Sequence, residues 1–253
     1  MVIACSSLGR TGFMVSAGRG QPPRRGSIRG VSRPRDERNL AWRFVVLLVG
    51  ATLRLCFRFR YAGVTWVPVS GRAIVAGNHV SALDGLALGV VVSQRRKRLT
   101  RFLVAAEYFD HHWFSWTLRL FRQIPVHRGT RDTGALETAV DTVRTGALAG
   151  IFPEAFVNPG TELQPGKTGV ARIALATGAP VVPVGIWGTQ DRWPHEGLHW
   201  GRPWRPGLAV TFGEPIEPEG DPESRADVGR FLDRVMSGIA EQVEVARALA
   251  GER

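Results

Sequence analysis

The sequence predicts an α/β fold, a mixed central sheet flanked by helices, with an N-terminal amphipathic helix at a membrane interface. Three observations carry that expectation. From Val64 onward, short β-like runs alternate with stretches of helical periodicity, the pattern of a layered α/β domain. The 253 residues are 44% hydrophobic and 22% charged, enough to bury one sizeable core and too apolar for wholesale disorder. The charge is also uneven: residues 1–60 hold 12 Arg and no Lys against Asp36 and Glu37, or +10 of the net +11. Such asymmetry suggests an arm that meets a polyanion, either a membrane surface or nucleic acid. A solvated arm that binds nothing is the plainer reading.

Residues 1–39 are rich in Gly, Ser, Pro and Arg without periodicity and are expected to form a disordered basic tail. Val2-Ile3-Ala4-Cys5 has no basic or apolar region before it, so no signal peptide is expected. Cys5 and Cys56 are too few for a disulfide framework or a four-cysteine zinc site, and two cysteines fit a reducing compartment. Residues 40–60 read as the interface helix. Phe44–Leu53 carries no charge and lies between Arg43 and Arg54, Arg58 and Arg60. A bilayer span needs about 20 apolar residues, so this run is too short. On a helix Arg43, Arg54 and Arg58 fall within about 60° of each other, leaving a wide apolar face for the interface. The alternative is an amphipathic helix packed on the core.

Residues 61–253 form the third region. Ala73–Ala76, Phe102–Ala105, Ile124–Val126, Leu148–Phe152, Val181–Ile186 and Leu208–Phe212 read as strands. Leu83–Val92, His112–Phe121, Thr133–Thr145 and Thr168–Thr177 read as helices between them. A final helix over about 222–249 aligns Val228, Phe231, Leu232, Val235, Ile239, Val243 and Ala246 on a core-facing stripe. His111-His112 has no partners at metal spacing, so no metal site is expected.

The sharpest local feature is Gly77-Asn78-His79-Val80-Ser81-Ala82-Leu83-Asp84, directly after the Ala73–Ala76 strand. Strand ends are where α/β folds carry function. An aspartate one turn into the next helix can reach one imidazole nitrogen, fix the tautomer and leave the other nitrogen as a base. Taken alone, the pair reads more simply as a turn histidine with a helix-capping or surface aspartate, because His-x4-Asp is common by chance.

The neighbourhood extends the pattern. Asn78-His79-x4-Asp84 resembles the first motif of the glycerolipid acyltransferases, the family of 1-acylglycerol-3-phosphate acyltransferase. Glu107-Tyr108 through Gln123-Ile124-Pro125-Val126-His127-Arg128, then Phe152-Pro153-Glu154, then Val181-Val182-Pro183-Val184-Gly185 resemble its later blocks, in order. Gly166-Lys167-Thr168-Gly169-Val170-Ala171-Arg172 resembles the link between the last two. The resemblance spans about 60–215 and implies catalysis by His79 and Asp84. The histidine would deprotonate an acceptor hydroxyl for attack on an acyl thioester of acyl-CoA or acyl-carrier protein. It implies no further cofactor, and acceptor binding by Arg128 and Glu154, with Lys167 as another candidate cation. For Arg128 the plain alternative is a surface arginine, and for Glu154 a helix N-terminal carboxylate. The expected partners are the acyl donor, a lysophospholipid or glycerol-phosphate-type acceptor and an anionic membrane surface, with no nucleic acid. The expected location is peripheral or monotopic on the cytoplasmic face of the cell membrane.

The third block departs from the family's Phe-Pro-Glu-Gly-Thr-Arg-Ser: here Ala155, Phe156, Val157 and Asn158 follow Glu154. A bidentate cation suited to phosphate is replaced by an apolar side chain, which points toward a larger or less charged acceptor, or toward a lipid-binding member without activity. Ser93–Arg101 is a second basic cluster, suited to anionic head groups or to a solvated loop. A condensation-type enzyme with His-His-x3-Asp-Gly does not fit the spacing after His79. A nucleic-acid-binding protein does not fit the near-neutral body.

Overall fold

Three stretches, Ala73–Gly77, Val181–Trp187 and Gly207–Phe212, are buried at every position, as expected of strands covered on both faces. They belong to a computed structural model that describes residues 40–251 except 111–114, 117, 120, 127–132, 159, 161, 195, 200, 202 and 203. The 1–39 tail, His111-His112 and Arg128 lie outside the described residues. The elements are α1 (Leu40–Cys56), β1 (Arg58–Ala62), β2 (Ala73–Gly77), α2 (Asp84–Arg96), β3 (Thr100–Ala105) and β4 (Ile124–Val126). Then follow α3 (Thr133–Arg144), β5 (Leu148–Ile151), α4 (Gly169–Thr177), β6 (Val181–Trp187), β7 (Gly207–Phe212) and α5 (Arg225–Ala250).

The sheet has the order β1-β7-β6-β2-β5-β3-β4. Strands β6, β2, β5, β3 and β4 run parallel, while β7 pairs antiparallel to β6 and parallel to β1. It is therefore mixed, as expected. Alternation along β2 divides the core in two. Ile74 and Ala76 join Ile173, Phe231, Val235 and Ile239 of α4 and α5 on one face. Ala73 and Val75 join Leu53, Leu88 and Val91 of α1 and α2 on the other. Helix α5 lies so close to the sheet that a Cβ on Gly185 would sit 2.0 Å from the Gln242 carbonyl oxygen. Only glycine permits that approach.

The structure corrects the 40–60 region. The helix ends at Cys56, and Arg58 and Arg60 lie on β1, which pairs with β7. Exposed Arg58 and Arg60 alternate there with half-buried Phe59 and Tyr61, a two-residue period that a helical reading overruns. Arg60 donates to Leu249 O at the end of α5, where cations complement the exposed carbonyls. The apolar surface of α1 is also divided: Trp42, Val46, Gly50 and Leu53 are buried, whereas Leu40, Phe44, Leu47, Leu48 and Leu55 are exposed. One face of the helix therefore packs on the core, and a second apolar face is exposed.

The Ser93–Arg101 cluster is largely spent within the fold. Arg98 is buried and donates to the carbonyls of Pro68, Gly71 and Gly146. Arg96 donates to Val67 O, and Arg95 lies over the Tyr61 ring. Arg96 and Arg98 fasten loops to the fold; Arg95 and Lys97 are exposed, Lys97 in a left-handed conformation that ends α2.

Candidate active site

The carboxyl ends of β6, β2 and β5, three adjacent parallel strands, each deliver a polar residue to one place. Beyond β2 the chain turns through Asn78, His79, Val80 and Ser81 into α2. The Asn78 side chain joins the sheet ladder, donating to Ile186 O at 2.9 Å and accepting from Ile186 N at 2.8 Å. This reciprocal pair ties the start of the turn to β6.

Asp84 opens α2 and is fully buried. Its Oδ2 accepts from Val80 N at 2.7 Å and Ser81 N at 2.8 Å, and lies 3.0 Å from His79 Nδ1. Its Oδ1 accepts from Thr189 Oγ1 at 2.5 Å. A carboxylate fixed by so many donors cannot swing, so it sets the imidazole orientation and holds the proton on Nδ1. The His79 side chain keeps 19% of its surface exposed, which leaves Nε2 as the nitrogen able to meet a substrate. The ring stacks on Phe152 with centroids 4.2 Å apart and planes 11° apart, and Phe152 stacks in turn on Phe102 at 5.5 Å. Gly150 makes room for this column, since a Cβ there would lie 2.4 Å from the Phe102 ring.

Glu154 corrects the role that the resemblance assigned to it. It is 0% exposed. Its Oε1 accepts from His79 N at 2.7 Å, and its Oε2 accepts from Asn158 Nδ2 at 2.9 Å and Gln164 N at 3.0 Å. With both oxygens occupied inside the protein, it faces no acceptor. It fastens the backbone of the histidine turn to the loop after β5. Asn158, also buried, reinforces the joint, because its own N–H donates to His79 O at 2.7 Å. Lys167 is exposed, and its N–H donates to Pro153 O, so it stands beside the Glu154 turn and not within the His79–Asp84 contact. Ala155 has φ 65°, a left-handed backbone that favours glycine, at the position where the resembling motif carries Gly. Phe156 beside it is exposed.

Sequence reading missed Thr189, Phe152 as the histidine's stacking partner, and Asn158. Thr189 lies just beyond the Val181–Ile186 run, a strand-end position visible in the sequence, but its meeting with Asp84 depends on β6 lying beside β2 in the sheet. The turn amides of His79, Val80, Ser81 and Leu83 are all engaged, so none is available to an oxyanion. Among the described residues no group of three His, Cys, Asp or Glu is arranged to hold a metal ion. A separate cavity of about 900 Å3 lies between α1 and α2; Trp42, Phe44, Arg54 and Gln94 line it, and neither His79 nor Asp84 does.

A family model described as Acyltransferase matches residues 58–187, more than half of the chain and the stretch that holds His79, Asp84 and Glu154. The chain belongs to the Acyltransferase family. It is 28% identical over 149 residues to an uncharacterised protein of Mycobacterium leprae and 30% over 154 residues to one of Mycobacterium tuberculosis, in each case over 54% of this chain. It spans about two fifths of those relatives, 38% and 39%. A 1-acyl-sn-glycerol-3-phosphate acyltransferase of Borreliella burgdorferi is 28% identical over 129 residues, 49% of either chain. The solved structure of the 1-acyl-sn-glycerophosphate (LPA) acyltransferase PlsC from Thermotoga maritima shares the fold of this family member. The TM-score is 0.59 at 24% identity, covering 79% of this chain and 80% of that one.

Proposed function

We propose that the chain is a membrane-associated O-acyltransferase that moves a fatty acyl group from acyl-CoA or acyl-carrier protein to a lipid hydroxyl. One observation carries the reading: the 3.0 Å contact of His79 Nδ1 with a buried, immobilised Asp84, inside the stretch that the family model matches. His79 Nε2 takes the proton of the acceptor hydroxyl as its oxygen bonds to the thioester carbonyl carbon. Asp84 stabilises the imidazolium. When the tetrahedral intermediate collapses, the C–S bond breaks and the imidazolium proton passes to the departing thiolate. Esters and thiols balance, and no other cofactor is required.

The acceptor is a hydroxylated lipid without a terminal phosphate monoester, or one with a larger head group. Val157 and Phe156 stand where the resembling motif has an arginine and a threonine, and losing a charge-assisted phosphate contact costs about 1.5–3 kcal/mol. Arg128 and Lys167 remain the candidate acceptor cations. Membrane association is supported by the exposed apolar residues of α1, with Arg43 and Arg54 beside them. No helix among the described residues is long and apolar enough to cross a membrane, and an interfacial helix needs no such length. The proposed location is the cytoplasmic face of the cell membrane.

The experiment is purified full chain with labelled acyl-CoA or acyl-carrier protein and a panel of lyso-lipids, competing at equal concentration, read by product mass. Acyl transfer that disappears in His79→Ala supports the reading. No transfer to any acceptor, with intact lipid binding, would favour the inactive lipid-binding alternative that the altered third block suggests. A strong preference for lysophosphatidic acid would return the acceptor to that of the Borreliella and Thermotoga proteins.

A further inference from the structure

We propose that the loop joining β6 to β7, residues 188–206, is a second lipid-contacting surface that works beside α1. This extends the membrane reading above and rests on it. Three of the chain's eight tryptophans, Trp193, Trp200 and Trp204, belong to this loop. Trp204 is 77% exposed, Leu198 49% and Trp193 38%. Tryptophan is among the more buried residue types on average, so an exposed group of this kind marks an interaction surface.

The loop is not loosely held. Arg192 is buried, and its guanidinium donates to Gly201 O at 3.3 Å and Trp204 O at 2.7 Å. The backbone closes on itself where His199 N donates to Arg192 O and Trp193 N to Thr189 O. Among the described residues these bonds make the loop a built element, with Trp193 and Trp204 exposed on it; Trp200 lies outside the described residues.

The occupant is a lipid interface, for two reasons. The first is continuity with α1. Arg205, next to Trp204, donates to Arg54 O at 2.6 Å and Phe57 O at 3.1 Å. It thereby caps the carboxyl end of α1 beside exposed Leu55. The loop is thus fastened to the helix whose Phe44, Leu47 and Leu48 are exposed. The second is chemistry. Indole combines a large apolar body with one N–H donor and collects at head-group depth. Arginine at the same junction suits lipid phosphates. The acidic groups of the loop are half-buried Asp191 and exposed Glu196, against exposed Arg205 and the neighbouring Arg54. At its other end the same loop carries Thr189, which holds Asp84, so lipid contact and the candidate site share one short segment.

The test is co-sedimentation of the full chain with vesicles of mixed phosphatidylcholine and phosphatidylglycerol, for wild type, Trp193→Ser/Trp204→Ser and Leu47→Ser/Leu48→Ser. The loop variant is expected to bind about tenfold or more weakly, as is the α1 variant. Wild type that fails to bind vesicles overturns the membrane reading and this proposal with it. Wild type that binds, an α1 variant that weakens and a loop variant that does not would overturn the loop proposal alone. A loop that serves as a protein contact gives this last result. If melting shows that the double variant is unfolded, brominated-lipid quenching of wild type against Trp204→Phe decides. Loss of a quenched component in Trp204→Phe supports contact, and identical quenching refutes it.

Discussion

Glu154→Gln separates a positioning carboxylate from an acceptor-binding one. In the native protein three donors converge on the buried carboxylate: His79 N on Oε1, and Asn158 Nδ2 and Gln164 N on Oε2. Glutamine keeps the shape but offers one acceptor oxygen. In its better orientation the amide oxygen retains Asn158 and Gln164, and the NH2 group then faces the His79 N–H. One charge-assisted bond is lost and two donors oppose each other in a fully buried site. Hydrogen bonds to a charged group contribute about 1.5–3 kcal/mol, and an unsatisfied buried group costs about 1–3 kcal/mol. A loss of about 2–4 kcal/mol is therefore expected, or about 4–16 °C in Tm for a domain of this size. The lost bond belongs to the backbone of His79 itself, so the imidazole shifts relative to substrate; a misplacement of about 1 Å can cost 10²-fold in rate. The assay is thermal melting with initial-rate kinetics across acceptor concentration. Expected is a large fall in kcat with KM little changed. A variant that melts as wild type and shows only a raised KM would refute the positioning role, because it would mean that Glu154 touches the acceptor.

Other outcomes follow from the same contacts. His79→Ala should remain folded, because its ring is a half-buried cap on Phe152, and lose about 10²–10⁴ in turnover; near-normal turnover would sink the mechanism. Asp84→Asn should cost less, since an amide can keep the Val80 and Ser81 N–H bonds through its oxygen while Thr189 turns to accept from its NH2. Thr189→Val removes one donor to the buried Asp84 and should lower kcat about tenfold with an unchanged acceptor KM, measured with the same acyl-transfer assay. Ala155→Gly should stabilise the protein. A left-handed alanine costs about 1–2 kcal/mol, and the freer unfolded glycine offsets about 0.4–1 kcal/mol, so a Tm rise of about 2 °C is expected; no rise would mean that the φ 65° of Ala155 carries no strain.

The sequence by itself determined the layered α/β plan and the core stripe of α5, and it put His79 within reach of Asp84. These are local properties. Strand runs and helical periodicity are written within ten or twenty residues, and a histidine five positions before an aspartate across a strand–helix turn can meet it without help from elsewhere. Tertiary structure decided what depends on distant segments. Glu154 reads as a motif carboxylate, and only the fold brings its oxygens to the His79 amide, 75 residues away. Thr189 reaches Asp84 across 105 residues because β6 and β2 are neighbours in the sheet. Arg98 reads as part of a basic surface, yet it is buried as a tie between loops. The end of α1 was hidden for a related reason. Arg58–Ala62 becomes a strand only because β7, contributed from residues 207–212, supplies its hydrogen-bonding edge. A buried carboxylate or guanidinium is stable only when donors or acceptors from several segments converge on it, and that convergence does not exist until the chain has folded.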